Sequence, residues 1–214
     1  MIHSSKFFDN FGQFISRYPD TDLIDLFSKG QIESKRWLVN TVINLNLDLG
    51  SVFLCAGWYG TLATFIFESG IPLTQIRSFD IDPICAGRAD SFNRCWVIDG
   101  WKFKASTLNI HDMTYPLTYT TIRANGTEAG LCETPNSVIN TSCEHIDNFS
   151  KWYKKIPNGT LLILQSNNFF EISDHINCVK NNDEFALQTP MSVELFNDEL
   201  ELPAYKRFMR IGYK

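Results

Sequence analysis

The chain has 214 residues, of which 44% are apolar, 20% are charged and 17 are Phe. Such a composition builds the core of one compact domain of radius of gyration about 17 Å, and it excludes disordered, collagen-like and coiled-coil classes. Nineteen basic against 24 acidic residues leave a formal charge of −5, so a broad basic face for duplex nucleic acid is not expected.

Residues 1–47 read as a helical extension. Met1 to Lys6 has no charged start followed by an apolar run, so no secretory leader is expected. Phe7, Phe11, Phe14, Ile15 and Tyr18 recur at three- and four-residue spacing and predict one helix with an aromatic face. That face suits core packing or a second copy of the chain. Pro19-Asp20 breaks the pattern, a short helix follows at 21–28, and Gly30 closes it. A further helix is expected over 32–45, with Leu38, Val42 and Leu45 in line.

From residue 48 the pattern changes. A short apolar run at 51–55 predicts a strand that ends in Ala56-Gly57-Trp58-Tyr59-Gly60. A helix follows at 61–69 and stops at Gly70 and Pro72. A second strand at 75–79 ends in Asp80-Ile81-Asp82-Pro83, and Pro83 can open the next helix because its missing N–H is not needed there. That helix runs to about Phe92. A third strand over 101–108 ends in Asn109-Ile110-His111-Asp112. Residues 114–136 are polar and carry Asn125-Gly126, a hairpin signal. This insertion is expected near the carboxyl ends of the strands. A fourth strand at 137–140, a helix at 147–155 and a fifth strand at 160–165 resume the alternation. Two strand-like runs at 191–196 and 207–213 suit an antiparallel hairpin on the sheet edge. The order predicts an α/β, Rossmann-like, doubly wound sheet over 48–214. The apolar stretch from Val52 to Phe67 is broken by Gly57 and Gly60 and falls short of the roughly 20 residues of a membrane span, so no membrane association is expected.

Six cysteines are present: Cys55, Cys85, Cys95, Cys132, Cys143 and Cys178. None forms a C-x-x-C pair, so zinc-site spacing is absent and no metal site is expected. They read as free thiols in a reducing cytoplasm. Asn125, Asn140, Asn148 and Asn158 each open an N-x-[ST] tripeptide, read as chance matches in an Asn-rich chain.

The strand ends carry the candidate chemistry. Gly57 and Gly60 permit a tight turn that brings backbone N–H groups toward a ligand. Asp80 and Asp82 stand where a carboxylate accepts both hydroxyls of a ribose. Asp112, after the third strand, can accept from an adenine amino group. Each signal alone has a plain alternative: an ordinary turn, or acids at a helix N-terminus. In this order and spacing they favour a nucleoside-containing cofactor.

At these residues the chain resembles the class I S-adenosylmethionine-dependent methyltransferases. The resemblance covers roughly residues 35–165 and the closing hairpin. It rests on Val52-Phe-Leu-Cys-Ala-Gly-Trp-Tyr-Gly60, Ser78-Phe-Asp-Ile-Asp-Pro83, Leu108-Asn-Ile-His-Asp112 and Val138-Ile-Asn-Thr-Ser-Cys-Glu-His145. It implies a sheet of about seven strands with an antiparallel end, and S-adenosylmethionine as cofactor. It implies ribose binding by Asp80 with Asp82 beside it, and adenine binding by Asp112. Ala56, Gly57, Trp58 and Gly60 would lie under the methionine part, and Asn140 beside the transferring methyl. A fainter similarity is to methyltransferase-like proteins of phage genomes, which implies a host cytoplasm. Trp58 departs from the family's glycine pattern. It can stack on the ligand, redirect the loop through Gly57, or fill the site and leave a non-catalytic binding subunit that contacts a partner through residues 1–30. The dinucleotide pattern G-x-G-x-x-G is absent, and no Lys follows the loop.

His145 is the leading candidate for a base, with Glu144 to orient it or act itself. The plain alternative is that both merely open the next helix. Cys143 lacks the Pro-Cys context of a pyrimidine nucleophile. Asn140-Thr-Ser-Cys lacks the Asn-Pro-Pro-aromatic pattern of enzymes acting on exocyclic amines. A small molecule or nucleotide is the expected acceptor, with RNA, DNA or protein as the alternative.

Overall fold

The computed structural model describes residues 4–123 and 125–214, with side chains from residue 10 onward. The leader reading at Met1 to His3, and the side chain of Phe7, lie outside them.

Three helices, α1 (Ser4–Arg17), α2 (Leu23–Leu26) and α3 (Lys29–Asn44), precede the first strand. Then follow β1 (Ser51–Cys55), α4 (Thr61–Ser69), β2 (Gln75–Asp80), α5 (Pro83–Phe92), α6 (Arg94–Ile98) and β3 (Phe103–Thr107). A hairpin, β4 (Leu117–Ile122) and β5 (Glu128–Glu133), is inserted before β6 (Ser137–Asn140), α7 (Phe149–Lys155) and β7 (Leu161–Asn167). The chain closes with α8 (Asn182–Gln188), β8 (Val193–Glu201) and β9 (Lys206–Tyr213).

Seven strands form one sheet in the order β3-β2-β1-β6-β7-β9-β8. β1, β2, β3, β6 and β7 run parallel, and β9 pairs antiparallel with both β7 and β8. The order steps outward from β1 in both directions, so β1 and β6 flank the switch point where such sheets bind ligands. β1 and β7 are central and covered on both faces, hence their unbroken apolar runs. The period of two sorts their side chains between two cores. Val52 and Leu54 pack with Leu38 and Val42 of α3 and with Leu62 and Ile66 of α4. Phe53 and Cys55 face Phe149 and Trp152 of α7 on the other side.

The aromatic face of α1 is used within the chain. Phe14 is fully buried and its ring meets Phe92 of α5 edge-on at 5.1 Å. Arg88 of α5 reaches Asp20 at 2.6 Å and donates to the Tyr59 hydroxyl at 3.2 Å. Thus the N-terminal helices are tied to the loop after β1.

Some boundaries differ from expectation. Gly30 does not close a helix; it lies in the first turn of α3, whose N-cap Ser28 accepts the Gln31 N–H through its hydroxyl oxygen. Helix α6 was not expected, because Arg94 to Ile98 is too short to show a period. The third strand starts at Phe103, since Gly100 and Trp101 both adopt left-handed backbone (φ 61° and 59°) and turn the chain. The β4–β5 hairpin forms around the expected Asn125-Gly126 turn. It covers β2 and β3: Glu133 pairs with buried Arg77 at 2.9 Å, and Tyr119 packs on Phe79.

Candidate functional site

A cavity of about 410 Å³ opens at the carboxyl ends of β1, β2 and β6. Ala56, Gly57, Trp58, Asp80 and His145 all line it, so five sequence-derived candidates converge on one space. Thr141 and Ser142 form its wall beside β6, and Asp25, Gln31 and Lys35 close it from the N-terminal helices.

The loop after β1 is held in an unusual backbone. Ala56 and Trp58 adopt φ of 51° and 48°, and Gly60 φ of 72°. For the two non-glycine residues this conformation costs of order 1–2 kcal/mol each. Tertiary contacts hold it there. The Gly57 N–H donates to Phe79 O at 3.0 Å, and the Trp58 N–H donates to Asp80 Oδ2 at 2.8 Å. A side chain at Gly57 would meet Ser78 Oγ at 2.1 Å, so the loop passes β2 only because Gly57 has none. Gly60 caps α4, and its carbonyl accepts from buried Asn93 at 3.1 Å.

Trp58 lines the cavity without filling it. Its ring stacks on Tyr59 with centroids 4.6 Å apart, and both pack on the apolar cluster of Phe14, Leu26 and Phe92. The indole is therefore recruited by α1 and α5.

Asp80 is half-buried at the tip of β2. Oδ2 accepts from Trp58, and Oδ1 from the Asp82 N–H at 3.1 Å. A carboxylate has about four acceptor sites, so capacity remains for a ligand. Asp82 is exposed and caps α5 through Ile84 N–H at 2.9 Å. Asp112 ends a 3-10 turn, is exposed, and is not among the described residues that line the cavity. Ile81, 66% exposed, is on that lining beside Asp80.

On the β6 side, Asn140 is fully buried. Its Oδ1 accepts from Ser142 N–H at 2.8 Å, while Nδ2 has no protein partner. Glu144 follows, 1% exposed. Its Oε1 accepts from Arg207 Nη2 at 3.0 Å and from Asn167 Nδ2 at 2.6 Å, and its Oε2 has no partner. Arg207 of β9 also donates to Thr141 O at 2.7 Å, so the last strand positions the turn after β6. His145 is exposed, and its Nδ1 lies 3.0 Å from Asp174 O. The His175 ring meets it at right angles, centroids 4.6 Å apart. Cys143 is buried, and burial holds its thiol well above the ordinary range, which removes a thiolate nucleophile there.

Lys35 was not singled out from the sequence. Its ammonium is buried and donates to Gln31 O and Oε1. Burial, helped by nearby Arg207 and opposed by Asp25, lowers its pKa from 10.5 to about 7. The available signal is that Lys35 falls on the stripe of Leu38 and Val42, at helical spacing, where a cation is out of place.

No protein-family model and no curated protein sequence matches the chain. Solved structures do match its fold. The N-methyltransferase NodS from Bradyrhizobium japonicum WM9, in complex with S-adenosyl-L-homocysteine, superposes with a TM-score of 0.64 at 9% identity, over 96% of this chain and 98% of NodS. Magnesium protoporphyrin IX methyltransferase (ChlM) from Synechocystis PCC 6803, with bound S-adenosylmethionine, gives 0.57 at 11% identity, over 97% of this chain and 90% of ChlM. Geranyl diphosphate methyltransferase, in complex with geranyl diphosphate and sinefungin, gives 0.57 at 10% identity, over 86% of this chain and 78% of that one. The chain therefore has the α/β Rossmann-like fold of these methyltransferases.

Proposed function

We propose that the chain is an S-adenosylmethionine-dependent methyltransferase whose acceptor is a small molecule or nucleotide. The observation that carries this reading is the cavity at the switch point, where the strained loop after β1, Asp80 and the turn after β6 meet. Its volume of about 410 Å³ lies within the range of about 300–1,000 Å³ typical of small-ligand sites. The residues fit the cofactor: Asp80 has spare acceptor capacity for ribose hydroxyls, and the buried Nδ2 of Asn140 lacks a partner. NodS and ChlM, which share this fold over nearly the whole of the chain, are both methyltransferases, and that supports the reading.

When bound, S-adenosylmethionine supplies an electrophilic methyl carbon on a sulfonium. The protein's part is alignment, which can contribute about 7–11 kcal/mol. In our reading Asp80 holds the ribose, and Ile81 offers an apolar wall to the base. The loop of Ala56, Gly57 and Trp58 carries the methionine part, with Gly60 fixing the start of α4. Asp82 shapes the turn rather than meeting the ligand. Asp112 is assigned no contact, since it stands off the cavity. Asn140 is fully buried next to the cavity-lining Thr141 and is not itself on that lining, so in our reading it serves the reacting centre by holding the turn after β6 through the Ser142 N–H. Because Asp174 O can only accept, His145 Nδ1 carries the hydrogen, and in the neutral ring Nε2 is the nitrogen with the lone pair. That lone pair can take a proton from the acceptor.

The test is transfer of a labelled methyl group to a panel of small hydroxyl, amine and carboxylate acceptors and nucleotides, with RNA and protein run alongside. The wild type is expected to label at least one of them, and Asn140→Ala to lower that rate at least tenfold. Labelling confined to RNA or protein would overturn the acceptor class.

A further inference from the structure

We infer that Glu144, His145 and His175 form a binding site for a divalent transition-metal cation at the edge of the cavity. One ligand atom from each lies within 4.8 Å of the other two. The site joins the turn after β6 to the loop after β7, which is why ligand spacing in the sequence does not reveal it.

Two features make this more than proximity. First, both imidazoles are oriented from behind. His145 Nδ1 lies 3.0 Å from Asp174 O, and His175 Nδ1 lies 2.8 Å from Phe169 O. A carbonyl only accepts, so both Nδ1 atoms hold the hydrogen and both Nε2 atoms present a lone pair. Backbone carbonyls fix the ring and tautomer of metal-binding histidines in this way. Second, Glu144 is buried with one oxygen engaged by Arg207 and Asn167, while Oε2 has no partner. A buried carboxylate oxygen without a donor is met by a water, a proton or an ion, and the two imidazoles beside this one favour the ion.

The chemistry of the set narrows the occupant. Two imidazoles and a carboxylate suit zinc, cobalt, manganese or ferrous iron, and leave coordination positions open. Metal bonds of about 2.0–2.2 Å hold ligand atoms about 3–4 Å apart, so the three groups close by about 1 Å. His145 is the exposed ligand of the three, so that adjustment falls on its side chain and on its hydrogen bond to Asp174 O. His145 also lines the cavity with Thr141 and Ser142. The open positions would then take a hydroxyl or carboxylate oxygen of the acceptor, and His145 Nε2 would serve the cation instead of a proton. That last role rests on the methyltransferase reading; the site itself does not.

Cobalt(II) titrated into the cofactor-free protein, followed by visible absorption, tests the site. We expect one equivalent bound at micromolar concentration. His145→Ala and His175→Ala should each weaken binding at least tenfold, and His111→Ala should leave it unchanged. Equal binding by wild type and the two variants would overturn the assignment, as would no binding at millimolar cobalt. A sulfur-to-cobalt charge-transfer band would do the same, because it would place the ion on Cys132 or Cys178. If cobalt binds as expected while S-adenosylmethionine does not, the site stands and its role toward a methyl acceptor falls.

Discussion

Asp80 bonds to two backbone amides of its own chain and still has acceptor sites to offer. Hydrogen bonds to a charged group contribute about 1.5–3 kcal/mol each. Asp80→Ala is therefore expected to weaken S-adenosylhomocysteine binding at least tenfold by calorimetry, with the far-ultraviolet dichroism unchanged. Lys35 makes a different prediction. Its pKa is lowered on folding, so between about 7 and 10.5 the unfolded chain binds a proton that the folded chain does not. Stability must then rise with pH across that window. Lys35→Met should flatten this slope in urea denaturation measured from pH 7 to 10. Glu144 and Arg207 are both buried and 3.0 Å apart. Removing one partner of a buried pair strands the other at a cost of about 3–5 kcal/mol. Arg207→Met should lose stability on that scale, and adding Glu144→Gln should recover part of it.

At the level of elements, the loop after β1 depends on a close passage. Gly57→Ala places a methyl 2.1 Å from Ser78 Oγ and 3.2 Å from Leu54. Overpacking of this kind costs about 1–3 kcal/mol, and the denaturation midpoint of Gly57→Ala should fall accordingly, with Ser78→Ala restoring part of it. The parallel strands were legible because buried strands are apolar runs bounded by glycine and proline: Val52 to Cys55 and Leu161 to Leu164 need no partner to be read. The loop candidates were legible because they follow those strands directly. What the sequence hid is what tertiary contact supplies. Trp58 reads equally as a ligand platform or an obstruction until Tyr59 and the α1 aromatics are seen to hold its ring. Lys35 and Gln31 belong to an extension whose helices read as packing surface, yet they close the cavity. His175 lies 30 residues beyond His145 and joins it only because β7 returns the chain to the same end of the sheet.

For the whole molecule, α2 and α3 line the cavity through Asp25, Gln31 and Lys35, and α1 packs behind its loop at Trp58 and Tyr59. Asp20 ties Arg88, Arg88 reaches Tyr59, and Tyr59 stacks on Trp58. The loop after β1 is thus braced by the N-terminal helices from one side and by β2 from the other. All six cysteines are free thiols, and no helix among the described residues is long and apolar enough to cross a membrane. In our proposal the braced loop, Asp80 and the β6 turn enclose space for S-adenosylmethionine. Calorimetric titration of the wild-type chain with S-adenosylmethionine measures this directly. One site per chain with micromolar affinity is expected. Absence of heat at millimolar ligand, from folded protein, would contradict it.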